Sequence, residues 1–259
     1  MHPDLFSLGP FTVHTWGFLL AVACGAVGIG AGSLLKRQEY PSGLILDLLL
    51  VTVISGIVGS RIGYVLVYRW SEFIASPLYL FQFDGTGLMW YGGFIGGFIG
   101  FWITLKIKEL NFWNVADSIV PYLALGYAIV RVGCFLNSCC YGKPTDSMIG
   151  FVFTNIDTVT RWPTQLLSSG INVLFFAGLL FLWNNRSFIG QVASAYLISY
   201  SLYRFGIEFL RDSAVHYGPF SPGQVISIVI FIIGIISYIY CYRKDRKRIF
   251  GKRINKFFY

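Results

Sequence analysis

Seven stretches of this chain, near 12–35, 44–68, 88–105, 115–135, 164–183, 190–211 and 222–242, are each apolar over the roughly 20 residues that a helix needs to cross a bilayer. Four arginines, Arg61, Arg131, Arg204 and Arg211, lie inside these stretches or at their rims. A charge at the bilayer centre costs about 3 kcal/mol on insertion scales, and such residues face a bundle interior or a watery cavity rather than lipid. Hydrophobic residues make up 55% of the 259 and charged residues 12%, which excludes ordinary soluble composition. The pattern predicts an all-α integral membrane protein: one membrane-embedded domain over 1–259, a seven-transmembrane-helix bundle with its termini on opposite sides.

Lys and Arg collect on cytoplasmic connections, and that bias sets the orientation. One side holds Lys36, Arg37, Lys106, Lys108, Arg186 and the tail residues Arg243, Lys244, Arg246, Lys247, Arg248, Lys252, Arg253 and Lys256. The other holds only Arg69, Lys143 and Arg161. The N-terminus is therefore expected outside, with a basic cytoplasmic tail over 243–259. The net charge of +8 comes from that tail, which suits anionic inner-leaflet lipid and topology rather than nucleic acid. The first segment, with no basic region before it and no small-residue cleavage pattern after it, reads as a retained span.

With this orientation the second, fourth and sixth segments run outward, so the four arginines gather at one depth near the outer leaflet. Tyr200, Arg204, Glu208 and Arg211 recur at spacings of four, four and three, which stacks them on one helical face and lets Arg204 pair with Glu208. The remaining positive charge suits an anion, and the planar donor fork of guanidinium matches phosphate oxygens.

Gly56, Gly59, Ser60 and Gly63 in the second segment, and Gly92, Gly93, Gly96, Gly97 and Gly100 in the third, form small-residue series that let helix backbones approach closely. Cys134, Cys139 and Cys140 are grouped near the outer end of the fourth segment. The lack of a nearby His and of a second ligand pair argues against zinc, so no metal and no cofactor are expected. A disulfide is open to these residues in an oxidising compartment, and Cys24 and Cys241 read as packing residues. The longest outer loop, 136–163, has room for local structure. Arg69 to Gly87, rich in aromatics including Phe83, reads as an interfacial element. His2, His14 and His216 fall in none of these patterns.

Arg131-Val-Gly-Cys-Phe-Leu-Asn-Ser-Cys-Cys-Tyr-Gly142 resembles the signature of the bacterial prolipoprotein diacylglyceryl transferases. Gly59 to Tyr68 is similar to that family's second-helix motif, and the glycines from Gly87 on to its glycine-rich segment. Trp162-Pro-Thr-Gln165 resembles its His-Pro-Ser/Thr-Gln motif, Tyr200 to Glu208 its Tyr, Arg and Glu at spacings of four, and Phe220 to Gln224 its turn before the last helix.

The resemblance implies transfer of the diacylglyceryl group of phosphatidylglycerol to the lipobox cysteine of a preprolipoprotein signal peptide. The products would be a thioether and glycerol phosphate, made at the outer face of the bacterial plasma (inner) membrane among membrane lipids. By position it implies catalytic roles for Arg204, Tyr91, Glu208 and Tyr200, and substrate binding by Arg131, Arg61, Asn137 and Gly142. The chain departs from the family at Tyr91, where a His is usual, at Cys134 for Asn, at Cys139 for Glu and at Trp16 for Tyr. A phenol titrates near 10 against about 6.5 for imidazole. Three routes to the thiolate stay open: a phenolate at Tyr91, a base elsewhere, or positioning alone. The rivals are a divergent relative with another acceptor or no catalysis, and an anion or lipid transporter. A transporter calls for internal repetition, and none is evident.

Overall fold

In the computed structural model, residues 4–8, 11–82, 87–211 and 219–257 are described. His2, His216 and Phe83, named above, lie outside them, as do the side chains of the tail beyond Lys247. A hairpin of β1 (Asp4–Leu8) and β2 (Phe11–His14) leads into α1 (Thr15–Arg37), followed by α2 (Leu44–Tyr68), α3 (Trp70–Ala75) and a 3-10 turn (Pro77–Phe81). Then come α4 (Trp90–Ile107), α5 (Phe112–Leu136), the strand pair β3 (Phe151–Val152) and β4 (Thr160–Arg161), α6 (Thr164–Asn184), α7 (Gln191–Ile207), a second 3-10 turn (Glu208–Leu210) and α8 (Pro222–Phe257).

Among the described residues, five helices are long and apolar enough to cross a membrane: α1, α2, α5, α6, and α8 as far as Lys247. The chain is a multi-pass helical membrane protein. The third and sixth expected spans form shorter helices, α4 of 18 residues and α7 of 17. The expected segment 190–211 is cut back because the chain tightens into a 3-10 turn at Glu208.

Two compact units divide the chain, one of Met1–Leu34 with Trp113–Tyr259, the other of Leu35–Phe112. In the second unit, α2 and α4 pack through their glycines. A β-carbon on Gly59 would stand 2.5 Å from the Gly92 carbonyl oxygen, and one on Gly96 2.4 Å from that of Ser55. Side chains would force these backbones apart, which is why the small-residue series is required. Ser60 ties the α4 entrance down: its Oγ donates to the Met89 carbonyl at 2.9 Å, and the Met89 amide donates to the Ser60 carbonyl at 3.1 Å.

In the first unit, α1 lies on α5, with Gly126 against Ala23 and Val27, and Gly133 against Leu19. Ala124, Leu179, Val192 and Tyr196 form a buried core where α5, α6 and α7 meet. The amides that begin α7 are satisfied by Asp117 of α5, which is fully buried. Its oxygens accept from the Gly190 amide at 2.7 Å and the Ala193 amide at 2.8 Å, and Arg186 reaches it at 3.2 Å. A carboxylate at a helix N-terminus meets unpaired donors and the positive end of the helix dipole. Along α6, Thr164, Gln165, Ser168 and Asn172 form a buried polar line, while Leu166, Val173 and Leu174 are exposed for lipid.

The connection between α5 and α6 has its own small core. Phe135, Phe151 and Phe153 are in ring contact at 4.9 to 5.8 Å, and Tyr141 stands 5.4 Å from the fully buried Phe153. Arg161 lies over Tyr141 and pairs with Asp157 at 2.7 Å.

Candidate active site

The site in the first unit starts where α5 ends. Ser138 takes a left-handed conformation (φ 54°), its amide donates to the Phe135 carbonyl at 3.0 Å, and the Cys139 amide donates to the Cys134 carbonyl at 3.0 Å. This pair of bonds is a Schellman motif, which brings the residue after the turn into side-chain contact with the one five positions earlier. Here those two residues are Cys139 and Cys134. Cys140 is also left-handed (φ 61°), and non-glycine residues held there cost on the order of 1 kcal/mol each unless the surroundings fix them.

Two residues of α6 provide that fixing. Thr164 Oγ1 donates to the Cys140 carbonyl at 2.8 Å, and Gln165 Nε2 to the Cys139 carbonyl at 2.7 Å. The three cysteine sulfurs lie within 4.8 Å of one another, Cys134 buried, Cys139 half-buried and Cys140 exposed. Hydrogen bonds within the trio favour the thiolate at Cys140, and the charges of Arg131 and Arg211 act in the same direction. The same contacts push the Cys139 thiol up. The cluster is evident from the sequence, but the turn that closes it is not, because a Schellman return is usually announced by glycine and here Ser138 makes it.

Gly142 is wedged between two strands of the site. Its amide donates to the Trp162 carbonyl at 2.9 Å, and it forms a bridge with Arg211. A β-carbon would stand 2.5 Å from the Leu210 carbonyl oxygen and 2.7 Å from Trp162 Cβ. Any larger residue would push 208–211 away from 162–164. Asn137, just past the end of α5, is exposed.

Arg204 and Glu208 pair as their spacing predicts, and Arg211 Nε lies 4.0 Å from the same Glu208 oxygen. The carboxylate also meets the start of α8, where Ser221 and Gln224 form a reciprocal capping box: the Gln224 amide donates to Ser221 Oγ at 3.2 Å, and the Ser221 amide to Gln224 Oε1 at 3.0 Å. Gly223, in that first turn, packs against Glu208 and Arg204. Two cations and a helix N-terminus thus compensate one buried carboxylate, and net positive charge is left over for an anion.

Arg131 donates to the Tyr127 hydroxyl, with its guanidinium 4.7 Å from the centre of that ring. Tyr127 meets Tyr200 edge to face at 5.8 Å, and Tyr200 meets Tyr203 at 5.9 Å. Aromatic rings of α5 and α7 thus lie between Arg131 and the turn of α7 that carries Arg204.

In the second unit, Arg61 is 4% exposed and turned onto carbonyls. Nε donates to Leu80 at 3.1 Å, NH1 to Gly87 at 3.3 Å, and NH2 to Tyr79 at 2.9 Å and to Gln82. Tyr79 and Tyr64 flank the guanidinium at 5.4 and 5.7 Å. The guanidinium thus holds the carbonyls of Tyr79, Leu80, Gln82 and Gly87 together. Depth in the membrane suggested a ligand site, whereas the 3-10 turn supplies carbonyls that answer the same charge. Tyr91, in the first turn of α4, is 45% exposed and meets Trp90 edge to face at 5.3 Å.

The sequence profile of the prolipoprotein diacylglyceryl transferase family matches residues 3–240. The chain belongs to this family. It is 35% identical over 247 residues to phosphatidylglycerol–prolipoprotein diacylglyceryl transferase 2 of Clostridium perfringens, covering 91% of this chain and 93% of that protein. To the phosphatidylglycerol–prolipoprotein diacylglyceryl transferase of Vibrio cholerae serotype O1 it is 32% identical over 256 residues, 93% of this chain and 92% of that one. To the enzyme of the same name in Pseudoalteromonas atlantica it is 30% identical over 253 residues, 94% and 90% of the two chains.

Within this diacylglyceryl transferase fold, Asp117, which caps α7, and Tyr127, beside Arg131, are residues that sequence reasoning did not single out. Asp117 has no local signal, because its partners lie more than 65 positions away. Tyr127 carries a detectable signal, since it lies four residues before Arg131 on the same helical face.

Proposed function

We propose that the chain transfers the diacylglyceryl group of phosphatidylglycerol to the thiol of a lipobox cysteine in a preprolipoprotein, the first step of bacterial lipoprotein maturation. Membership of the family supports this reading, and so does one observation above the others: Arg131 donates to Tyr127, whose ring meets Tyr200 edge to face, one helical turn before the Arg204 that pairs with Glu208. In the reaction the acceptor sulfur attacks the glyceryl carbon, a carbon–sulfur bond forms, and the carbon–oxygen bond to phosphate breaks. Glycerol phosphate leaves with the electron pair. Charge grows on the phosphate oxygens as that bond lengthens, and fixed donors aimed there lower the barrier.

In this reading Arg131 binds the headgroup phosphate, Arg204 stabilises the leaving group, and Glu208 orients Arg204. Tyr200 lines the space between them, and Gly142 keeps 208–211 in register with the α5 turn. Asn137 borders the substrate on the accessible side. Arg61 holds the outer segment. The reading also puts the site at the outer face of the bacterial plasma membrane, in a bundle crossed seven times with the C-terminus in the cytoplasm.

The test supplies purified protein with phosphatidylglycerol and a lipobox peptide and looks for the thioether mass increase. Product is expected with the cysteine peptide and absent with its serine counterpart. No product from either peptide, under conditions where the Vibrio cholerae relative is active, would favour another acceptor.

A further inference from the structure

The trio of thiols has no part in the reading above, and its geometry is that of a metal site. Three cysteine sulfurs bound to one zinc ion at about 2.3 Å are separated from each other by roughly 4 Å. Cys134, Cys139 and Cys140 have their sulfurs within 4.8 Å of one another. The Schellman return and the donors from Thr164 and Gln165 hold the backbone that carries two of them. Thiolates select soft or borderline ions, and a closed structural zinc site has four protein ligands, whereas three leave a position open. Among the described residues no fourth His, Cys, Asp or Glu ligand joins this group. Exposure rises from Cys134 to Cys140, so the open position faces the accessible side.

We propose that Cys134, Cys139 and Cys140 bind a zinc ion whose fourth position takes the acceptor thiol. The second half of this proposal rests on the transferase reading, while the first half does not. A thiol that coordinates zinc is deprotonated outright, so its proton passes to solvent and no side chain need act as base. The zinc-bound sulfur then forms the bond to the glyceryl carbon, glycerol phosphate departs with the electron pair, and the neutral thioether dissociates as a poor ligand.

Zinc content of the protein purified in detergent under reducing conditions is the first measurement, with about one ion per chain expected. Cys139→Ser and Cys140→Ser should each bind far less. Cobalt(II) in place of zinc should show thiolate charge-transfer and tetrahedral d–d bands. Adding the cysteine peptide should shift the d–d bands, and the serine peptide should not. Removing the metal by chelation should slow transfer about 30-fold at neutral pH, since a free thiol is only a few per cent ionised there.

Reduced protein that binds neither zinc nor cobalt would overturn the site, as would a disulfide joining two of the three cysteines in protein taken directly from membranes. Full transfer after chelation would overturn the role in thiol activation. A peptide-dependent cobalt band without any thioether product would support the site and remove the transferase reading instead.

Discussion

A β-carbon at Gly223 would stand 2.8 Å from Oε2 of Glu208, so the first turn of α8 and the carboxylate occupy adjoining space with no slack. The conflict is with the end of a side chain, so an alanine can be admitted by moving Glu208 while the fold survives. Gly223→Ala is expected to reduce transfer about 10- to 100-fold, because small displacements of positioned groups carry penalties of that order. Thermal unfolding should stay close to that of the parent protein, and a parental transfer rate would show that the carboxylate position is unimportant.

Arg204→Ala should lower the transfer rate on the order of 100- to 1000-fold, the usual effect of removing one fixed donor from a developing charge. Arg204→Lys should recover little, because an ammonium cannot reproduce the guanidinium fork. Membrane levels of both variants, followed by immunoblot, should match the parent.

Arg61→Ala should act on order rather than on chemistry. The carbonyls of Tyr79, Leu80, Gln82 and Gly87 would lose their shared donor, so the backbone amides of 76–82 should exchange hydrogen faster and that stretch should become sensitive to protease. Unchanged exchange would show that other contacts hold it.

Asp117→Ala leaves the amides of Gly190 and Ala193 without their acceptor and Arg186 without its partner. Breaking a buried charged pair from one side costs about 3 to 5 kcal/mol. The midpoint of unfolding in detergent should fall accordingly, with Asp117→Asn between the two, since the amide oxygen still accepts one bond.

Asp157 supplies a pH dependence. Its hydrogen bond from Arg161 holds its carboxyl below the usual range, so the contribution to the α5–α6 connection is complete above the unfolded value near 4. It is lost as pH falls through the lower folded value. Below pH 4, protease should cut within 151–161 sooner in the parent, and Asp157→Asn should show that susceptibility at neutral pH.

Much of this arrangement is legible in the chain itself. The stretch 44–68 matches α2, the spacing of four brings Arg204 onto Glu208, and the glycine series mark the α2–α4 contact. Each of these depends on neighbours along one helix or on a repeating pattern. What escapes depends on distant partners, Asp117 with the start of α7 and Arg61 with the carbonyls of a turn, or on a local turn without its usual signal, as at the left-handed Ser138. Apolarity also overstates helix length where a 3-10 turn intervenes, as it does at Glu208.

The buried polar line of α6 bears on how the molecule is made. Thr164, Gln165, Ser168 and Asn172 would face hydrocarbon if this helix entered the bilayer alone, and groups of that kind are costly there. Beside α5, with Ser169 Oγ already donating to the Ala128 carbonyl at 3.0 Å, the same side is sheltered. Biosynthesis should therefore favour release of α6 into lipid together with the helix before it, so that the hairpin which later frames the cysteines is also the unit that the insertion machinery hands over.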